Sequence, residues 1–154
     1  MKKKIVALLL SFLFVLTGIV TGNEKVNAEE SAQDVLLSEI WTGDALVGYG
    51  QAQTWGVYLS QGISIINDAG GGKIGCGGIT NAARRCKVSV NAIVEKKVNG
   101  SWTRVTSWSA TNTNALSASV SKTLSVGSGY YYRVRCNHAA ATDASSSCTD
   151  SLWM

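Results

Sequence analysis

The chain has 154 residues, no proline, four cysteines, one histidine and a formal net charge of +4, with 45% apolar and 16% charged residues. That length supplies one domain with a workable core, and the apolar fraction excludes a disordered polyelectrolyte. Most of the charge is local: residues 1–28 hold Lys2, Lys3, Lys4 and Lys25 against Glu24, which leaves +1 for the rest and speaks against nucleic acid as a partner.

Lys2 to Lys4 form a positive n-region, Ile5 to Val20 is apolar apart from Ser11, Thr17 and Gly18, and Val26-Asn27-Ala28 fits the small-residue rule for cleavage. Residues 1–28 are therefore expected to be a cleaved signal peptide and the product to be secreted, with no stable membrane insertion after cleavage. Residues 29–50 are expected to be an acidic flexible leader, carrying Glu29, Glu30, Asp34, Glu39 and Asp44. Ser31-Ala32-Gln33-Asp34 also resembles a helix cap, so a short helix over 31–40 is the alternative. No base precedes Lys73 in this part, whereas from Lys73 onward Lys and Arg outnumber Glu95, Asp143 and Asp150 by ten to three.

Residues 51–154 read as a single domain of hairpins. The first strand is expected from Trp55 to Ile66, with a turn over 67–72 and a short glycine-softened strand from Lys73 to Cys76. Arg85 to Val98 is the longest strand, and Asn99-Gly100 is a strong hairpin signal because both central residues of a type I′ turn need positive φ. Trp102 to Trp108 returns with both tryptophans in one phase, which predicts a core position for both. Leu116, Ala118 and Val120 mark a further strand. After Gly127-Ser128-Gly129, Tyr130, Tyr132, Val134 and Cys136 alternate with Tyr131, Arg133 and Arg135, and a last strand is expected near 147–154. Short strands with turn signals between them predict an all-β fold, a small antiparallel β-sandwich of immunoglobulin- or fibronectin-like type.

Four cysteines in an exported chain predict two disulfides. Cys86 with Cys136 and Cys76 with Cys148 would bridge and clasp a sandwich; Cys76 with Cys86 and Cys136 with Cys148 is the local alternative. Nine residues separate the first two and eleven the last two, wider than zinc-ribbon spacing, so no metal is expected.

The runs Gly72-Lys73-Ile74-Gly75, Asn99-Gly100-Ser101-Trp102, Ser107-Trp108-Ser109, Ser121-Lys122-Thr123-Leu124 and Gly129 to Arg135, followed by His138, resemble an uncharacterised family of exported proteins of Gram-positive bacteria, DUF6147. The resemblance runs from about Gly62 to the C-terminus and implies secretion and a small β-rich domain, with no activity and no catalytic residues. The Gly129-x-Tyr131-x-Arg133-Val134 pattern also resembles a fibronectin type III strand, and the order Cys86, Trp102, Cys136 an immunoglobulin domain, as fold analogies alone.

Apparent chemical motifs do not hold. Gly70-Gly71-Gly72-Lys73-Ile74-Gly75 matches a dinucleotide fingerprint in letters but has no βαβ unit around it, so no nucleotide cofactor is expected. His138 is the sole histidine and stands on the inward phase of the tyrosine strand, with no nucleophile elbow in the sequence. The acidic residues of the body are scattered, which gives no glycosidase pair. The domain is accordingly expected not to be an enzyme; a His138-dependent hydrolase is the weakest reading. The outward residues Tyr131, Arg133 and Arg135, with Lys87 and Lys122 from neighbouring strands, form the candidate binding face. It suits an anionic cell-wall polymer or a glycan at the envelope. A secreted effector or antimicrobial protein is the alternative.

Overall fold

The computed structural model of the protein describes residues 44–52 and 56–154, all within the compact unit Gln33–Met154. The expected signal peptide, most of the expected leader, and Trp55 lie outside the described residues. Seven strands follow in chain order: β1 (Leu46–Ala52), β2 (Leu59–Gly70), β3 (Lys73–Val98), β4 (Ser101–Ser125), β5 (Tyr131–Ala140), β6 (Asp143–Cys148) and β7 (Leu152–Trp153). The boundary expected at residue 51 thus falls inside β1.

The strands expected on either side of Asn99-Gly100 are halves of longer ones. Asn99 and Gly100 do take positive φ, 48° and 83°, the pair that turns two right-twisted strands straight back on each other. From that turn β3 and β4 pair along almost their whole length, with a break in register between Asn81 and Val88. Ala83, Arg84 and Arg85 are exposed at this corner, and Asn114 on β4 takes a positive φ of 53° there.

The corner lets one edge of β3 serve two partners. Its first half, Lys73 to Ala82, pairs with β2, and its second half, Val88 to Lys96, pairs with β5. From β2 the hydrogen bonding passes through β1 to β6 and back to β5. The sheet is therefore continuous and antiparallel, curled into a nearly closed barrel, with β4 and β7 at its ends. This corrects the expectation of two facing sheets: a strand that bends at a break in register keeps both halves of the fold in one hydrogen-bonded ladder.

Inside lie Ile66, Ile74, Cys76, Val88, Val90, Val94, Tyr132, Val134 and Cys136. Each fully buried Val or Ile contributes roughly 1.5–3 kcal/mol of transfer free energy. The inward phase expected for the tyrosine strand holds for Tyr132, Val134, Cys136 and His138, while Tyr130 lies exposed ahead of the strand. The Tyr132 hydroxyl donates to the Gly127 carbonyl at 2.9 Å and so pins the turn before β5. Strand β6 was not legible from propensity, because its inward residues are Asp143, Ser145 and Ser147. Asp143 Oδ2 accepts the backbone N–H groups of Tyr58 (2.7 Å) and Leu59 (3.0 Å), and these bonds, Leu59's foremost, hold its carboxyl below the usual range.

The expected disulfides are absent: Cys76, Cys86, Cys136 and Cys148 are all unpaired. Register explains the local alternative's failure, since Cys148 lies opposite Arg135, and Cys136 is on the other face of the same strand. Cys76 and Cys86 stand on the same strand, one in the core and one at the corner.

The two tryptophans of β4 part company. Trp102 lies opposite Lys97 and Arg104 opposite Glu95, but the next pairs are Thr106 with Val94 and Trp108 with Ala92, so Val105 is an extra residue on β4. This bulge flips the phase. Trp108 packs against the core, whereas Trp102 faces outward under Arg133. Urea titration should give a loss of about 3 kcal/mol for Trp108→Ala and about 1 kcal/mol for Trp102→Ala, the smaller value reflecting a stacked surface ring.

Candidate binding face and the buried histidine

The outer face of β4, β3, β5 and β6 is ordered by register. At one end are aromatic rings: Trp102 beside Lys97, and Tyr131 in edge contact with Trp153 at 4.8 Å between centroids. Tyr131 is 43% and Trp153 58% exposed, so these rings present open faces and edges to solvent. Trp153 is held there by the chain terminus, where Met154 exchanges backbone hydrogen bonds with Gly129 and Tyr130.

Next to the rings is a charged cluster. Arg133 Nε lies 2.7 Å from Glu95 Oε2, Arg135 Nη2 lies 3.3 Å from Glu95 Oε1, and the Arg133 guanidinium stacks 4.2 Å from the Trp102 ring centre. Glu95, read from sequence as a solvated strand end, is a buried counter-ion that cancels much of the positive field of the two arginines. Arg104 adds a further cation opposite Glu95 and donates to the Ser107 hydroxyl.

Beyond the arginines the face turns neutral and polar. Ser109, Asn91, Asn137 and Ser146 stand side by side across the four strands, followed by Thr111, Ser89, Ala139 and Ala144. Short side chains here leave an open groove of about 620 Å³. Amides and hydroxyls both donate and accept hydrogen bonds, so this lining matches a polyhydroxylated ligand better than a purely anionic one.

Of the five residues expected at the site, Tyr131, Arg133 and Arg135 lie together on this face. Lys87 shares their side of β3 but stands eight positions from Glu95, on the order of 25 Å along a strand. Lys122 belongs elsewhere: it lies opposite Cys76 in the other half of the barrel, its Nζ 5.3 Å from the Trp108 ring centre. The groove residues were missed because Ser89 and Asn91 look like any solvent phase alternating with Val88, Val90 and Ala92. Only the four-strand register gathers them.

His138 lies under this face, on the inside. Its Nδ1 is 2.7 Å from Thr80 Oγ1 and its Nε2 is 2.7 Å from Ser147 Oγ. Thr80 spends its hydroxyl proton on the Ser89 carbonyl at 2.9 Å, so Nδ1 carries the ring proton and Nε2 accepts from Ser147. A side chain at position 62 would strike the imidazole, which explains Gly62 on the facing strand. The ring is 2% exposed, and burial lowers its pKa to about 4. Burial likewise pushes the Cys136 thiol up to about 12 and raises that of Cys148, the reverse of an activated nucleophile. Among the described residues no cluster of three His, Cys, Asp or Glu side chains is placed to hold a metal ion.

A curled antiparallel sheet with a buried, hydrogen-bonded histidine inside and one ordered polar outer face defines a small all-β domain. The chain belongs to DUF6147, a family of unknown function, whose model matches residues 30–152. That span is longer than the one read from the motifs, because it takes in β1 and the segment before it. No curated protein matches the chain. Among solved structures, the solution structure of R. palustris CsgH is similar at 16% identity and a TM-score of 0.38, covering 69% of this chain and 91% of that one.

The buried histidine makes stability depend on pH. With a pKa of about 4 in the folded chain against about 6.5 unfolded, the unfolded state takes up the proton first as pH falls. Stability should therefore be full above pH 6.5 and decline by about 3 kcal/mol down to pH 4. Denaturation curves taken across that window should show this slope, and His138→Gln should flatten it.

Proposed function

We propose that the protein is a secreted, non-catalytic binding module that takes a glycan of the cell envelope on the outer face of β4, β3, β5 and β6. The groove lined by Ser89, Asn91, Ser109, Thr111, Asn137 and Ser146 carries this reading, since its short amides and hydroxyls complement sugar hydroxyls from both sides. Tyr131 and Trp153, on the same face beyond the arginines, supply exposed apolar ring surfaces on which sugar rings stack. Arg133 and Arg135 fit a mixed ligand, a neutral sugar chain with occasional acidic groups. A polyanion such as teichoic acid is the less favoured ligand, because Glu95 already accepts both arginines.

Export rests on the N-terminal pattern Lys2 to Ala28, and the absence of a reaction rests on His138 and Ser147 being sealed inside with no carboxylate among their hydrogen-bond partners. The test is retention of the chain from residue 29 on purified Gram-positive cell walls, before and after removal of the anionic polymer, at low and high salt. Retention should survive both treatments and fall at least tenfold in Asn91→Ala/Asn137→Ala, with a smaller loss for Arg135→Ala. Retention lost with the polymer or with salt, and insensitive to the asparagines, would transfer the site to the arginines and a polyanion. No retention under any condition would refute envelope binding.

A further inference from the structure

Strand β4 stands at one end of the sheet. One of its edges pairs with β3, and the other has no partner strand among the described residues. The two halves of this open edge differ. The first half is interrupted by the extra residue at Val105 and runs to Asn114, whose φ is 53°. From Ser117 to Ser125 the second half pairs with Asn81 to Lys73 in unbroken register, a regular edge roughly 27 Å long.

One hydrogen bond fixes the direction of its backbone groups. Just past the strand, the Val126 N–H donates to the Gly72 carbonyl at 2.9 Å, so Val126 turns its backbone toward β3. That direction alternates along an antiparallel strand, so Leu124, Lys122, Val120 and Ala118 also turn theirs toward β3. Ser119, Ser121, Thr123 and Ser125 then present their N–H and C=O groups at the open edge. Ser117 shares their direction, and its carbonyl accepts the Asn112 side-chain amide at 2.9 Å.

The side chains sort in the same alternation. Ala118 and Val120 are buried, and Leu124 packs against the core. Lys122 belongs to this inward row, opposite the core residue Cys76, yet it is exposed at the edge. Its ammonium pairs with no carboxylate among the described residues, whose ion pairs are those of Glu95. An inward cation on an edge strand discourages an incoming apolar strand, because pairing would take the charge out of water. The β4 of a second copy would bring Arg104 and Lys122 and no acidic residue, so self-pairing leaves the cation uncompensated. A strand with a carboxylate on its inward side compensates it.

We infer that Ser117 to Ser125 of β4 is a docking edge for an extended segment of another protein, one that alternates polar and apolar residues and sets an Asp or Glu beside Lys122. The open backbone groups supply affinity for any strand, and Lys122 selects among strands. The edge shares no residue with the polar groove proposed for a glycan, so the two sites stand or fall separately.

The probe is a nine-residue peptide in which threonine alternates with valine and one valine position holds glutamate; a second peptide holds lysine there. Added to the chain from residue 29, the glutamate peptide should slow hydrogen exchange at the Ser119, Ser121, Thr123 and Ser125 amides and leave residues 89–91 and 137–139 unchanged. The lysine peptide should bind about tenfold more weakly, and Lys122→Glu should reverse that order. Equal affinity for the two peptides, an order unmoved by Lys122→Glu, or no slowing at the four amides would overturn the inference. So would slow exchange at these amides before any peptide is added, since the edge would then already be occupied by this chain or by a second copy.

Discussion

The edge of β3 is the constraint on which the rest depends. A strand has two edges, and β4 occupies one of them for nearly the full length of β3. The other must satisfy both β2 and β5, and it does so by dividing at the corner between Asn81 and Val88. Because the inward phase is recovered after the corner, with Thr80 and Ala82 before it and Val88 and Val90 after it, the same side of the strand lines the interior in both halves. His138 depends on this closure. Its two partners come from the first half of β3 and from β6, and Gly62 of β2 faces its ring, so one imidazole ties together strands that are far apart in sequence.

Closure leaves two outer faces, and their chemistry differs. The face over β4, β3, β5 and β6 carries amides, hydroxyls, exposed rings and an arginine pair quenched by Glu95. The face over β1, β2 and the first half of β3 carries Val47, Ile63, Ile65 and Ile79 and no charge. The first is wet and grooved, suited to a hydrated polymer. The second is apolar, with Ile65 and Ile79 buried and Tyr49 exposed at its edge.

Much of the barrel can be read from alternation. The tyrosine strand, the Asn99-Gly100 turn and the buried position of His138 follow from period 2 and turn chemistry. What could not be read are events in which geometry interrupts period. One extra residue at Val105 sends Trp102 and Trp108 to opposite faces although they share a phase in sequence. The corner in β3 looks like a loop between two strands, since Ala83 to Arg85 are polar or small and exposed. Strand β6 escapes notice because serines face a histidine and a glycine-rich wall, where branched side chains would not fit. The site was half legible for the same reason. Tyr131, Arg133 and Arg135 share one strand and are visible from it, whereas Asn91, Asn137, Ser109 and Ser146 become neighbours only through pairing. Lys87 and Lys122 were assigned by charge, and charge carries no register.

The central claim is that the neutral groove, and not the arginine pair, meets the ligand. Titration of the isotope-labelled protein with soluble envelope glycan fragments, followed through backbone amide shifts, tests it most directly. Shifts concentrated at residues 89–91, 109–111, 137–139 and 144–146, and little changed by salt, are the predicted result. Shifts confined to Arg133, Arg135 and Arg104 that vanish in high salt, or no shifts at all with glycan, would contradict it.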